Sequence, residues 1–273
     1  MPSHARRPVT GRAYLDAVGP YGVIAMAHRG GALHPELPGV ENTLHAFEHA
    51  VALGYEYLET DVHVTRDGVL LAFHDDVLDR VTDSTGRLAE LSAEEVSAAR
   101  IRAEFPVPTM AELLEAFPGC RFNIDLKSNG AGPVLAELVE STGSHDRICV
   151  GSFSQARLDA FRRASRGRVA TSAAPPEVVL FMACPSGRAA RRLTRGRVAA
   201  LQVPHRRGPV TVVTGSLVRR AHAAGAQVHV WTVDEPAEME QLLDLGVDGL
   251  ITDRTDVLKD VLTRRGQWRS TPS

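Results

Sequence analysis

An imidazole and a guanidinium stand side by side at His28-Arg29, followed at once by Gly30-Gly31. Such a pair suits an anion, because arginine offers a planar fork of donors and histidine exchanges protons near neutral pH. Further on come Glu59-x-Asp61, with His63 continuing the spacing, then His74-Asp75-Asp76, and then Asp125-x-Lys127. Alternate residues of a strand share a face, so Glu59 and Asp61 project together with Cα atoms about 6.5–7 Å apart. Two carboxylates at that spacing either share a cation or repel. Taken singly, each group has an ordinary reading: a solvated strand face, a capped turn, a snorkelling lysine or, for Trp231, a place in the core. Their significance depends on whether one fold gathers them.

The elements that must position them alternate along the chain. Strand-like runs occupy residues 23–27, 57–64, 121–127, 147–153, 169–173, 200–204, 227–233 and 249–253. Helical patterns lie between most of them, at 43–53, 109–117, 133–139, 155–164, 216–224, 235–245 and 257–262, several ending at glycine. Eight strands in this rhythm predict an α/β chain folded as a (β/α)8 TIM barrel, a single domain with a short excursion after the second strand. The barrel is expected over 23–262, with an N-terminal extension at 1–22 and a C-terminal tail at 263–273. Residues 69–74 read as an extra strand after the Asp67-Gly68 turn, and residues 75–108 as the excursion. The stretch 175–198, rich in Arg, Gly and Pro, does not separate into helix and loop. In such barrels the chemistry sits at the C-terminal ends of the strands. His28-Arg29, His74, Asp125, Lys127 and Trp231 all fall at strand ends.

Composition sets outer limits. The chain has 273 residues, 44% of them hydrophobic and 23% charged, with a formal charge of −2, so it lacks the basic excess of a nucleic-acid binder. Three widely spaced cysteines suggest neither a disulfide framework nor a zinc motif, and Cys149 reads as a buried thiol. With no apolar stretch of signal-peptide or transmembrane type, the expected location is cytoplasmic. Sequence gives no oligomeric partner. His34, His45, His49, His145, His205, His222 and His229 have no convergent partners legible in the sequence.

The string HRGG…ENTLHAFEHAVALGYEYLETDVHVTRDGVLLAFHDDVLDRVTDSTGRL resembles the glycerophosphodiester phosphodiesterase family. PTMAELLEAFP, FNIDLK, VGSFS, VHVWTVDEP and GVDGLITDR follow in the family's order, so the likeness runs from about residue 23 to 262. It implies a phosphoric diester hydrolase acting on a small phosphodiester, releasing glycerol 3-phosphate and an alcohol. It also implies His28 and His74 as the catalytic pair, working through a cyclic phosphate, and Glu59, Asp61 and Asp125 as ligands of one divalent cation. Arg29 and Lys127 would hold phosphate, with Trp231 added to the substrate side. Glu41 and Asn42 are expected to brace Arg29, and Asp75 and Asp76 to orient His74. The family's commoner third-strand acid is glutamate, and here it is Asp125.

Charge arithmetic agrees with that assignment. Three carboxylates and a phosphodiester carry four negative charges, which a divalent metal, Arg29 and Lys127 would balance. All-oxygen ligation points to Mg2+ or Ca2+. The alternative is phospholipase D-like cleavage of lysophospholipids or sphingomyelin, and a non-catalytic phosphate-binding barrel is the competitor from another class.

Overall fold

The eight runs all form strands in the computed structural model, which describes residues 7–19 and 22–268. They are β1 (Ile24–His28), β2 (Tyr57–Val64), β3 (Arg121–Leu126), β4 (Ile148–Gly151), β5 (Ala170–Thr171), β6 (Ala200–Pro204), β7 (Gln227–Trp231) and β8 (Gly249–Thr252). Parallel pairing runs β5-β4-β3-β2-β1-β8-β7-β6. The ring is completed between β5 and β6 by one parallel bridge, Ser172 to Ala200, and by backbone bonds from Ala173 N to Ala200 O and from Ala199 N to Thr171 O, both 2.9 Å. β5 is only two residues long, which makes this the weakest seam. The fold is the expected α/β barrel, nearly closed.

Caps fix where the helices begin. Thr43 accepts from Ala46 N ahead of the helix Leu44–Ala52, Thr109 and Glu112 form a capping box on Met110–Ala116, and Ser154 caps Gln155–Ala164. The ambiguous stretch 175–198 resolves into two helices, Pro175–Ala183 and Gly187–Leu193. Its glycine, which obscured the pattern, has a local cause. A Cβ on Gly187 would sit 2.2 Å from the Arg220 carbonyl oxygen, so only glycine permits this helix contact. Arg220 in turn donates from Nη1 to the carbonyls of Phe181 and Met182, at 2.7 Å each.

Residues 7–19 form a floor under the barrel. Tyr14, Leu15 and Val18 are buried against Ile24, Met26, Tyr57 and Cys149. Arg7 reaches inside, donating from Nη1 to Gly22 O at 2.9 Å and from Nη2 to Gln227 Oε1 at 2.7 Å. Its Nε also pairs with Asp248 at 3.3 Å. Above this floor the interior is polar. Gln202 Nε2 donates to Asn123 Oδ1 at 2.7 Å, and His229 Nε2 bonds Gln227 Oε1 at 3.0 Å. Of the two flanking segments, 1–6, 20–21 and 269–273 lie outside the described residues. All three cysteines are buried and free.

The extra strand Leu70–Ala72 pairs antiparallel with β2, as expected after the Asp67-Gly68 turn. The excursion 75–108 packs Leu78, Leu88, Val96, Ala99, Ile101 and Val107 against Leu71 and Phe73 of the extra-strand segment in a small separate core. It thereby holds Asp75 and Arg80 against the barrel rim. Among the described residues no helix is long and apolar enough to cross a membrane.

Candidate active site

Register assembles the site. β2 sends Glu59, Asp61 and His63 inward, all buried, while Leu58, Thr60 and Val62 face outward beneath the helices. Parallel pairing sets His28 beside Glu59 and Asp61 beside Asp125. Adjacent strands lie about 4.8 Å apart, so the acids crowd. The charges are then interleaved: Lys127 Nζ lies 2.9 Å from Asp61 Oδ1 and 2.7 Å from Asp125 Oδ2, and Arg29 Nε lies 3.1 Å from Asp61 Oδ2.

The turn after β1 explains why His28-Arg29 is followed by two glycines. A Cβ on Gly30, at φ +87°, would lie 2.6 Å from Ala46 Cβ, so the chain must pass tight against the start of the helix Leu44–Ala52. Arg29 and Asn42 themselves take left-handed φ values of 50° and 59°. That conformation costs a non-glycine residue about 1–2 kcal/mol. It is held by Arg29 N donating to Glu59 O at 3.0 Å and by Asn42 N donating to Arg29 O at 2.9 Å. Asn42 Oδ1 accepts from Thr60 Oγ1 at 2.8 Å, and Glu41 Oε1 accepts from Arg29 Nη1 at 3.2 Å. Glu41 thus contacts the Arg29 guanidinium and Asn42 its backbone carbonyl.

Each histidine of the pair is joined to an aspartate through Nδ1. His28 Nδ1 lies 2.7 Å from Asp253 Oδ1, with its Nε2 3.7 Å from Glu59 Oε2. His74 Nδ1 lies 2.6 Å from Asp75 Oδ1. Arg80 then links the two sides, donating from Nε to Asp75 Oδ2 at 2.5 Å and from Nη2 to Glu41 Oε1 at 2.7 Å. A continuous chain results, Arg29–Glu41–Arg80–Asp75–His74. His63 Nε2 bonds His74 O at 3.0 Å and so anchors the second histidine's backbone. Asp76 turns away onto Arg87. Trp231, half-buried, meets Phe153 edge-to-face at 5.6 Å, and Lys127 Nζ lies 5.6 Å from the centre of the Phe153 ring.

The electrostatics are those of a crowded, largely buried site. Burial, with Asp61 adding to it, pushes Glu59 up to about 7 against the pull of His28, Arg29 and Lys127. Burial also raises Asp125, whereas Lys127 and Arg29 outweigh it at Asp61 and hold that carboxyl low. For His28, burial favours the neutral ring, but Glu59 and Asp253 prevail and raise it. The Arg80 hydrogen bond lowers Asp75 to about 2.

A family model for the glycerophosphoryl diester phosphodiesterases matches residues 28–257, beginning at His28 itself. The chain belongs to this family. A curated relative, the Mycobacterium tuberculosis "Probable glycerophosphodiester phosphodiesterase 2", is 43% identical over 250 residues, covering 90% of this chain and 93% of that protein. The Mus musculus lysophospholipase D is 26% identical over 280 residues, covering 87% and 85%. Among solved structures, an Oleispira antarctica phosphodiesterase in complex with the product sn-glycerol-3-phosphate matches with a TM-score of 0.71 at 23% identity. It spans 89% of this chain and 98% of that one, and at this identity the likeness speaks for the fold. This glycerophosphodiester phosphodiesterase is thus an enzyme, a phosphoric diester hydrolase on a barrel scaffold.

The donor set of the phosphodiesterase fits a hard divalent cation. Glu59, Asp61 and Asp125 outnumber the fixed cations Arg29 and Lys127, and the buried Asp61 Oδ2 meets Arg29 Nε at 3.1 Å as an ion pair without accepting a hydrogen bond from it. The three carboxylates do not stand at mutual ligand spacing, since Lys127 lies between Asp61 and Asp125. Among the described residues, the histidine-carboxylate group that does reach such spacing is His34, Glu36 and His49.

Several groups escaped the sequence. Asp253 had a legible signal, an acid ending the eighth strand, yet nothing tied it to His28. Phe153, apolar at a strand end, was also visible. Arg80 carried no signal, because only the excursion's fold brings it to Glu41. The histidines read as lacking convergent partners must be corrected too. His222 Nε2 lies 2.8 Å from Asp248 Oδ2, His205 bonds Glu238, and His34 and His49 meet Glu36. Each partner is far away in sequence or across a turn, where spacing is silent.

Proposed function

We propose that this phosphodiesterase hydrolyses glycerophosphodiesters to glycerol 3-phosphate and an alcohol, with His28 and His74 as the proton-transfer pair. The observation that carries the reading is the pair of His–Asp couples, His28–Asp253 and His74–Asp75, beside the Arg29–Asp61–Lys127 charge centre. Arg29 and Lys127 bind the phosphoryl oxygens, Arg29 through its planar fork. Glu59, Asp61 and Asp125 would hold one Mg2+ or Ca2+, which when bound supplies Lewis-acid polarisation of the phosphoryl group.

With Nδ1 committed to an aspartate, each ring presents Nε2 to substrate. One Nε2 takes the proton of the glycerol 2-hydroxyl, whose oxygen bonds to phosphorus. The other Nε2 gives a proton to the departing alcohol oxygen as its bond to phosphorus breaks. The five-membered cyclic phosphate then opens with water under reversed proton roles. Each transfer is typically worth about 10²–10⁴-fold. The glycerol 3-phosphate found with the Oleispira relative supports this product.

One observation favours a second reading. Phe153 is 62% exposed beside Trp231 and gives the mouth an apolar lip, which suits the acyl chain of an amphiphilic diester such as a lysophospholipid. Phosphorus NMR of the products from glycerophosphocholine and lysophosphatidylcholine, after EDTA treatment and with Mg2+ or Ca2+ restored, tests both. Metal-dependent release of glycerol 3-phosphate supports the first. Turnover of the lysolipid alone supports the second, and full activity without metal removes the cation from the account.

A further inference from the structure

Loop 29–43 and the helix that follows gather a second set of donors. One ligand-capable atom from each of His34, Glu36 and His49 lies within 4.8 Å of the others. Glu36 Oε2 is 3.0 Å from His49 Nε2, and the two imidazole rings are 4.3 Å apart at their centres. None of these groups touches the catalytic carboxylates through a hydrogen bond or ion pair among the described residues.

Two of the donors rest on firm supports. His49 is within the helix Leu44–Ala52. His34 is fixed by its N–H to Gly31 O and by Leu37 N–H to its own carbonyl, both 2.9 Å, with Leu37 fully buried. The third, Glu36, has an exposed side chain that is free to adjust. Tetrahedral zinc with ligands at 2.0–2.1 Å needs donor atoms about 3.3 Å apart, so small side-chain rotations suffice. His49 Nδ1 is buried without a hydrogen-bond partner, so the polar contact that this ring makes is on the side of the triad. Burial and the neighbouring His49 hold His34 below the usual histidine range, with Asp256 and Glu36 opposing and Arg254 assisting. A neutral imidazole is the form that ligates.

We propose that His34, Glu36 and His49 form a second cation site, separate from the catalytic centre and selective for a borderline transition metal such as Zn2+. Two imidazoles and one carboxylate favour Zn2+ over Mg2+ and Ca2+, which seek oxygen. A fourth position is left for water. Occupancy ties loop 29–43 to its helix. The same loop donates from Leu33 N to Asp253 O at 3.1 Å, next to the carboxylate that holds His28, so the site steadies the catalytic rim from outside.

Calorimetric titration of Zn2+ into the whole protein in Mg2+-containing buffer tests this. The wild type is expected to take up one Zn2+ that Glu36→Gln weakens by about tenfold or more. His49→Ala should abolish that uptake, and Asp61→Asn should leave it intact. Glu36 is exposed, so its substitution reads binding without loss of folding. Unchanged uptake in Glu36→Gln, loss of uptake in Asp61→Asn, or no uptake by the wild type would each overturn the proposal.

Discussion

His28 Nδ1 lies 2.7 Å from Asp253 Oδ1, so the first strand of the barrel and the end of the last meet in one hydrogen bond at the barrel rim. The aspartate is itself held, because Asp253 N donates to Asp234 Oδ1 at 2.8 Å. The imidazole is thereby set in one tautomer and one orientation. Asp253→Asn is expected to lower kcat by about tenfold or more while KM changes little, since the loss falls on proton transfer. Steady-state kinetics on glycerophosphocholine would show the split. An unchanged kcat would leave His28 positioned by the backbone alone.

Arg80 makes a different prediction, because it holds two carboxylates at once. In Arg80→Ala, Asp75 loses its guanidinium partner and Glu41 is left with Arg29 alone, so Arg29 and His74 are loosened together. Activity should fall by about tenfold through both kcat and KM. Lysine should restore only part of it, since a point charge cannot bridge two carboxylates as a planar fork does. Full rescue by Arg80→Lys would reduce the role of Arg80 to simple charge.

Much of this is legible in the sequence, and the boundary has a physical cause. Period-two patterning on β2 placed Glu59, Asp61 and His63 on one face, and parallel register then put Asp125 beside Asp61. Such information is local or carried by strand order. Arg80 and Asp253 were missed because their partners depend on how the excursion packs and how the barrel closes. The polar interior was missed for the same reason: Gln202, Asn123 and His229 look like scattered residues until three strands meet.

That interior yields a stability prediction. Burial lowers His229 to about 3, from an unfolded value near 6.5. Between those values the unfolded chain holds a proton that the native ring refuses. The stability this group contributes is therefore present in full above about pH 6.5 and is lost as pH falls toward 3. The slope approaches about 1.4 kcal/mol per pH unit. Urea unfolding at pH 7.5 and 5.5 should show wild type losing more stability than His229→Gln by roughly that amount. Parallel pH dependences would mean that the ring is not held neutral.

The central claim is that His28 and His74 move protons at a glycerophosphodiester. A coupled assay for glycerol 3-phosphate release from glycerophosphocholine with Mg2+ or Ca2+, on wild type, His28→Ala and His74→Ala, tests it most directly. Robust release by the wild type and a fall in kcat of about 100-fold or more in each variant, with melting temperatures preserved, is the predicted result. Near-wild-type kcat in either variant would contradict the pairing, and absence of glycerol 3-phosphate from the wild type would contradict the substrate.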